Sequence, residues 1–188
     1  MSNCHIISIT GDIASGKGVV SKILSERLNY SIYKNGEYFR SLAREHNMTV
    51  KEFNVYCESH KEIDFEIENS AKHYAESHDN FIIDARLGWY AVPQSFKVYL
   101  KVDLDESARR LLADSTRGKV ENYSSFEEAK REIAERFRLE NERYYNLYSV
   151  KKEDVLNYDL VIDTTHISPE EVARKIEEEY YIWLRNNK

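Results

Sequence analysis

Short apolar stretches alternate with longer amphipathic stretches along most of this chain. The short stretches predict five strands, at His5–Thr10, Tyr30–Tyr33, Phe81–Ala85, Phe96–Val102 and Leu160–Asp163. Strands that alternate with helices are typical of an α/β fold, in which the strands are parallel and the crossovers right-handed. We therefore predict a mostly parallel central sheet of about five strands, flanked by helices.

The stretches between the strands repeat their apolar residues at helical spacing. This spacing is clear in Val20, Ile23, Leu24 and Leu28, which follow the first strand. It also predicts helices at Glu37–Glu45, at Lys61–Ser77 and at Asp103–Ala113, and a long helix whose face carries Phe126, Ile133, Phe137, Tyr144 and Tyr148.

Three helix starts carry capping signals. Thr49 precedes Glu52 by three residues, as in a capping box, and Asp103 is placed to cap the helix that follows it. Ser168 is followed by Pro169, a residue that favours the first position of a helix. These signals predict where the helices begin.

One turn between a strand and a helix carries a phosphate-binding pattern. The run Ile9-Thr10-Gly11-Asp12-Ile13-Ala14-Ser15-Gly16-Lys17-Gly18 fits the template G-x-x-x-x-G-K-[ST] except at its last position. Glycines let successive amides turn inward as an anion nest, and the helix that follows adds its positive N-terminus. We predict that a nucleoside triphosphate binds here through the following residues: Gly11, Ile13, Ala14, Ser15, Gly16, Lys17, Gly18 and Val19.

The two residues after Lys17 lack the hydroxyl group that usually binds Mg²⁺ at this point of the loop. Gly18 and Val19 occupy these positions, and Asp12 adds a negative charge close to the predicted phosphates. Mg²⁺ keeps several waters and is often held through substrate phosphates. We therefore expect Mg²⁺ to enter with ATP, held by phosphates and water, with Asp84 as a candidate carboxylate and no direct protein ligand otherwise.

Composition narrows the class of protein. The 188 residues suffice for one domain, 32% of them are charged, and the formal net charge of −6 disfavours a general nucleic-acid binder. No apolar stretch approaches the ~18 residues that indicate a membrane span, and no signal peptide is visible. Cys4 and Cys57 do not make a disulfide framework. We expect a cytoplasmic protein without nucleic-acid or membrane partners.

Three segments follow predicted strand ends: Gly11–Lys17, Lys34–Gly36 and Asp84–Gly88. Ligands of parallel α/β sheets bind outside the carboxyl ends of the strands. These segments are therefore expected to share one face of the molecule.

Further motifs follow one another in a definite order. They are Gly36-Glu37-Tyr38-Phe39-Arg40-Ser41-Leu42-Ala43, Glu62-Ile63-Asp64, Ile83-Asp84-Ala85-Arg86-Leu87-Gly88-Trp89-Tyr90, Glu142-Arg143-Tyr144 and Tyr158-Asp159-Leu160-Val161-Ile162-Asp163-Thr164. Together with Gly16-Lys17-Gly18, this series resembles the cytidylate kinase family, especially its short archaeal-type members. The resemblance covers nearly the whole chain. It departs from the family at Ala85, which replaces a glycine, and at Gly88, which follows Leu87 directly.

The resemblance implies a P-loop kinase fold in a single domain over residues 1–188, with a helical acceptor-binding region at about 37–78 and a mobile lid at about 114–131. It implies phosphoryl transfer from ATP to a nucleoside monophosphate, with CMP or dCMP as the leading acceptor. Two alternatives stay open. One is a P-loop kinase for a different small-molecule acceptor, and the other is a non-enzymatic nucleotide-binding regulatory module.

The resemblance also implies roles on the acceptor side. Arg40 and Arg86 match arginines that grip the acceptor phosphate, for which a planar guanidinium is suited. Asp84 matches an acidic position before that arginine, Gly36 precedes the acceptor helix, and Asp64 matches a position near the acceptor base. On residue type alone, Arg40 and Asp64 also fit exposed charges on amphipathic helices.

Five arginines crowd the predicted lid and the long helix: Arg117, Arg131, Arg136, Arg138 and Arg143. Arg136 and Arg143 are seven residues apart and share a helix face, and the resemblance favours this pair, with Lys17, as catalytic. Arginines that meet the transferring phosphoryl group stabilise its charge. The alternative for these residues is a surface ladder of ion pairs with Glu132, Glu135, Glu140 and Glu142.

Overall fold

The computed structural model describes residues 5–48, 50–113, 123 and 125–187. Its strands are β1 (Ile6–Gly11), β2 (Ser31–Lys34), β3 (Phe81–Asp84), β4 (Phe96–Lys101) and β5 (Leu160–Asp163). All pairings are parallel, and the strand order is β2-β3-β1-β4-β5. The predicted parallel sheet is confirmed, and each predicted strand end lies within about one residue of the observed end, the usual scatter of such boundaries.

The central position of β1 follows from its sequence, because its six residues are all buried and suit a strand covered on both faces. Ile9 of β1 pairs with Asp84 of β3, and Lys34 of β2 pairs with the same Asp84. The carboxyl ends of these three strands are therefore level. The loops that leave them start from one edge of the sheet, as predicted.

The helices are α1 (Lys17–Leu28), α2 (Asn35–Glu45), α3 (Val50–Ser59), α4 (Lys61–Ser77), α5 (Gly88–Ala91), α6 (Leu104–Ala113), α7 (Phe126–Tyr148) and α8 (Pro169–Asn186). A 3-10 turn spans Val155–Asn157. The predicted helices are confirmed. The sequence reading missed α5 and the 3-10 turn, since segments this short show no periodicity.

Two of the predicted caps are present. Asp103 Oδ1 accepts a hydrogen bond from the amide of Glu106 at 3.2 Å, and Ser168 Oγ accepts one from the amide of Glu171 at 3.2 Å. Thr49 lies outside the described residues. The caps satisfy amides that the first turn of a helix leaves without partners.

Helices cover both faces of the sheet. On one face, Leu24 of α1 and Ile176 of α8 pack with strand residues in the largest apolar cluster. On the other face, Ala71 of α4 packs against Ile83 of β3. With both faces covered, the carboxyl edge of the sheet is the place at which a ligand can reach the strand ends.

A separate apolar cluster lies within α2, α3 and α4, the helices of the predicted acceptor region. It contains Leu42, Ala43, Phe53, Cys57, Ile63 and Ile67. Most of the predicted lid at 114–131 lies outside the described residues, which do not include 114–122 and 124. The last residues of this range form the start of α7. Within the described ranges, no helix has both the length and the apolar character needed to cross a membrane.

Candidate active site

The loop between β1 and α1 takes its shape from two backbone requirements. Gly16, the residue before α1, has φ 85°, a conformation that L side chains rarely adopt. A Cβ on Gly11 would lie 2.5 Å from Ser15 Oγ and 3.2 Å from the carbonyl oxygen of Leu100. Both glycines of the predicted motif are therefore needed to form this turn.

Three consecutive carbonyl groups of the loop accept hydrogen bonds from side chains outside it. Ser107, Arg110 and Thr164 donate to the carbonyl oxygens of residues 13, 14 and 15, at 2.6, 3.3 and 3.2 Å. These contacts hold the backbone of the loop in a fixed turn, the kind of backbone in which successive amides can form an anion nest. Ser15 Oγ is buried and has no hydrogen-bond partner among the described residues, so it is a further donor for a phosphate oxygen.

Arg110 fastens this loop to the end of β5. Its guanidinium donates to the carbonyl oxygens of Thr164 at 2.6 Å and Thr165 at 3.2 Å, and its Nε bonds Glu106 at 3.0 Å. The sequence reading missed Arg110, because the pair Arg109-Arg110 on an amphipathic helix has the pattern of ordinary solvated charges. Only the fold reveals that one of the two reaches the loop.

The carboxylate of Asp12 has a structural task that the sequence reading did not foresee. It accepts hydrogen bonds from the Tyr99 hydroxyl at 2.6 Å and from the amide of Val102 at 3.2 Å. Burial, with the hydrogen bond to Asp12, raises the pKa of Tyr99, so this phenol remains a donor. Two donors thus share the negative charge of Asp12, which fixes the loop to the end of β4.

Lys17, the first residue of α1, forms an ion pair with Asp84 at the end of β3. Their side chains are 21% and 13% exposed. Burial lowers the pKa of the Lys17 ammonium group, and the nearby charge of Arg86 lowers it further, while Asp84 opposes this shift. Phosphate oxygens offer the same ammonium group an alternative charge-assisted partner.

Arg86 lies directly after β3, and its Nε forms an ion pair with Glu140 of α7. The second oxygen of that carboxylate accepts a hydrogen bond from Lys152 Nζ at 2.6 Å. Burial favours the neutral acid, but the charges of Arg86 and Lys152 outweigh it, so the pKa of Glu140 lies below its ordinary value. The alternative surface ladder includes Glu140, but its side chain is only 17% exposed and pairs with Arg86 and Lys152.

One cavity of about 530 Å³ joins the loop to the arginines. It is lined by residues 11–19 and by Asp84, Arg86, Arg110, Leu111 and Arg136. The structure thus brings together all eight predicted phosphate-binding residues, two of the predicted acceptor residues and one arginine of α7. A cavity with this lining can hold several phosphate groups at once.

Other predicted site residues lie away from this lining. Gly36 and Arg40 are exposed residues of α2, and a Cβ on Gly36 would lie 3.5 Å from Arg40 Nη1. Arg143 is exposed, about two turns of α7 beyond Arg136. Asp64 belongs to α4, but its side chain lies outside the described part of the structure. The roles assigned to these four residues stay predictions.

The ladder expected on α7 is confirmed for Arg138. Its guanidinium contacts Glu135 at 2.7 Å and Glu142 at 2.6 Å, and all three side chains are exposed. Exposed pairs at this spacing are screened by solvent and add little to stability. Arg138 is therefore a surface residue, unlike Arg136 on the same helix.

A model of the cytidylate kinase-like family matches residues 6–166, a range that contains the whole sheet and every residue lining the cavity. The chain belongs to the cytidylate kinase-like family. The resemblance inferred from the motifs is thereby confirmed. Within this family fold, the predicted acceptor helices follow β2 and the helix that carries Arg136 precedes β5.

Relatives of this cytidylate kinase-like chain carry two kinds of name. A cytidylate kinase from Thermoplasma volcanium is 37% identical over 172 residues, which is 89% of this chain and 86% of that protein. An S-adenosylmethionine-dependent nucleotide dehydratase from Lacinutrix mariniflava is 35% identical over 175 residues. That alignment covers 93% of this chain but only 35% of the dehydratase, so it matches one segment of a longer protein.

A solved kinase structure supports the fold of this cytidylate kinase-like chain. Shikimate kinase from Acinetobacter baumannii, in complex with shikimate, superimposes with a TM-score of 0.59 at 17% identity. The match covers 97% of this chain and 94% of that chain. The P-loop kinase fold predicted from the sequence is confirmed.

Proposed function

We propose that this protein transfers the terminal phosphoryl group of ATP to a nucleoside monophosphate, with CMP or dCMP as the leading acceptor. The observation that carries the proposal is that a single cavity joins the anion-binding loop to Arg86 and Arg136. Donor and acceptor phosphates must meet within such a space for direct transfer. The name of the Thermoplasma relative supports cytidylate as the acceptor.

On the donor side, the loop amides and Lys17 would bind the phosphates of ATP. The ammonium group of Lys17 exchanges Asp84 for oxygens of the β- and γ-phosphates. The partly buried setting strengthens this interaction, since charges attract more strongly in a low dielectric. Lys17 thereby positions the phosphoryl group and offsets its charge.

On the acceptor side, Arg86 would bind the monophosphate. An oxygen of the acceptor phosphate then attacks the γ-phosphorus, and the bond from phosphorus to the β–γ bridging oxygen breaks to release ADP. The acceptor phosphate is already an anion, so the reaction requires no general base. Arg136 meets the charge that spreads over the transferring group.

Mg²⁺ fits this cavity as a companion of ATP. Asp84 is the carboxylate beside Lys17, and its Oδ2 lies 4.0 Å from the place of a Cβ on Gly18. Among the described residues, no group of three acidic, histidine or cysteine side chains could form a protein-only metal site. Asp84 would hold the ion through water, and the bound ion would neutralise phosphate charge.

Two other functions each have an observation in their favour. Similarity of fold to shikimate kinase favours a kinase for another small-molecule acceptor. However, the names of both relatives refer to nucleotides, which ranks a nucleotide acceptor first. Val19, 55% exposed and without a hydroxyl group, favours a non-enzymatic nucleotide-binding module.

A coupled assay of ADP release tests the proposal against both alternatives. We expect CMP or dCMP to raise turnover far above the rate with ATP alone, and UMP, AMP and shikimate to raise it less. If shikimate is the acceptor that raises turnover with ATP, and no nucleoside monophosphate does so, the result would favour a kinase for another small-molecule acceptor. Calorimetric binding of ATP without turnover on any acceptor would favour the binding module and contradict the kinase proposal.

Replacing Arg86 by methionine should weaken acceptor binding more than donor binding. Loss of the charge-assisted hydrogen bonds between Arg86 and the acceptor phosphate weakens CMP binding. We therefore expect the KM for CMP to rise about 10- to 100-fold, with little change in the KM for ATP. Steady-state kinetics with each substrate varied in turn measures both values. Arg109→Met, which alters an exposed arginine of α6, is the matched control, and equal changes in the two KM values would count against the role of Arg86.

A further inference from the structure

Lys152 is a lysine of the interior, 1% exposed, in the turn that follows α7. Its ammonium group donates to Glu140 Oε2 at 2.6 Å and lies 4.8 Å from the ring centre of Phe137. Its carbonyl oxygen accepts a hydrogen bond from the Tyr158 hydroxyl at 2.7 Å. Lysines are almost never fully buried unless they are paired, and Glu140 is the partner that allows this burial. What remains to be explained is the role of a buried pair at this place.

The two cations on Glu140 differ in their freedom to move. Arg86 is 42% exposed at its side chain and lines the cavity. Lys152 is 2% exposed at its side chain and is not among the lining residues of that cavity. Arg86 can therefore turn toward a ligand in the cavity, whereas Lys152 stays beside Glu140.

Movement of Arg86 would leave Glu140 with one counter-charge fewer. The Glu140 side chain is only 17% exposed, and a buried carboxylate without a partner is strongly unfavourable. We propose that Lys152 is a positioning residue that keeps Glu140 compensated, so that Arg86 can leave it to bind the acceptor phosphate. This inference rests on the proposed function, because it takes the acceptor phosphate as the ligand of Arg86.

The charged groups around Glu140 set the expected dependence on pH. They are Arg86 after β3, Lys152 after α7, Arg136 on α7 itself and, through its charge, Lys17 of α1 with its partner Asp84. Without the charge of Lys152, the pKa of Glu140 rises. Above this raised pKa, the ionised Glu140 retains Arg86 and weakens acceptor binding, and below it the neutral acid releases Arg86.

Lys152→Met tests the proposal, with Lys151→Met, a change at the exposed neighbouring lysine, as the matched control. In the full-length protein, ¹³C NMR of labelled glutamate carboxyl groups follows the titration of Glu140, whose resonance is assigned with Glu140→Gln. Steady-state kinetics gives the KM values for CMP and ATP over the same pH range. The wild-type protein, measured in parallel, accounts for titration of the CMP phosphate.

We expect Lys152→Met to raise the pKa of Glu140 by about one unit or more, which corresponds to about a tenfold effect on a linked equilibrium. The KM for CMP should rise about tenfold above that pKa and recover below it, while the KM for ATP and the Lys151→Met protein stay at wild-type values. An unchanged titration of Glu140 would overturn the proposal, as would equal changes in both KM values at every pH.

The NMR titration separates this proposal from the proposed function, because it needs no turnover. If no nucleoside monophosphate is phosphorylated, the function fails while the titration still decides the role of Lys152. Should Lys152→Met not fold, circular dichroism of Lys152→Met/Glu140→Gln gives the answer. A folded double variant supports charge compensation, and a double variant that also fails to fold overturns it in favour of a packing role.

Discussion

Replacement of Lys17 by methionine is expected to lower kcat for phosphoryl transfer by about 10³-fold, the scale on which loss of one preorganised charge or donor acts in such sites. Methionine keeps most of the volume of the side chain, so α1 should begin at the same residue. The lost ammonium group is the one that would exchange Asp84 for the phosphates of ATP. ADP release at saturating ATP and CMP measures the effect.

Two further variants separate the charge of Lys17 from indirect effects. Lys22→Met alters an exposed lysine of the same helix and should retain wild-type turnover. Lys17→Met leaves the Asp84 carboxylate without its ion-pair partner, and Lys17→Met/Asp84→Asn removes that charge as well. This double variant should remain inactive. Full activity of Lys17→Met would show that the loop between β1 and α1 is not the donor site.

Arg136→Met is expected to lower kcat by about 10³-fold or more, by analogy with arginines that stabilise transferring phosphoryl groups. Arg136 lines the same cavity as the loop, so we expect its charge to act on the transition state. An interaction made mainly in the transition state changes kcat more than KM. Single-turnover measurements, which isolate the chemical step from product release, provide the test.

Arg138→Met on the same helix is the control, since its guanidinium is exposed and engaged with Glu135 and Glu142. We expect wild-type turnover from it. Arg143→Met tests the other arginine that the sequence favoured. A large loss of kcat with Arg143→Met, together with wild-type kinetics for Arg136→Met, would reverse the assignment of the catalytic arginine on α7.

The parts of the fold predicted well from the sequence are those that local physics determines. The β-branched run that became β1 has to be buried on both faces, and Ser168 caps α8 through its own near neighbour. Gly11 and Gly16 also answer local requirements. A Cβ on Gly11 would lie too close to its neighbours, and Gly16 has a backbone conformation that favours glycine. Such residues can be recognised because few other residue types serve in their place.

The charged partners in the site could not be predicted in the same way. Lys17 and Asp84 are 67 residues apart, and their contact exists only because β1 and β3 are neighbours in the sheet. Glu140 and Lys152 lie in a stretch rich in exposed charges, and residue type alone does not distinguish a buried pair from a solvated one. Their burial depends on how α7 packs through Tyr144 against Leu87 and Trp89, which follow β3.

Two of the cations that line the cavity, Lys17 and Arg86, each pair with a carboxylate of the protein, and this pairing affects selectivity among anions. Lys17 pairs with Asp84 and Arg86 pairs with Glu140, so each of the two cations has a carboxylate of the protein as its counter-ion. A small monovalent anion such as chloride would have to displace a carboxylate at each site for a single charge in return. A polyphosphate and a phosphate monoester each bring several charges to one cation. We therefore expect the protein to discriminate among anions by their charge density, so that abundant simple salts compete poorly with its proposed substrates.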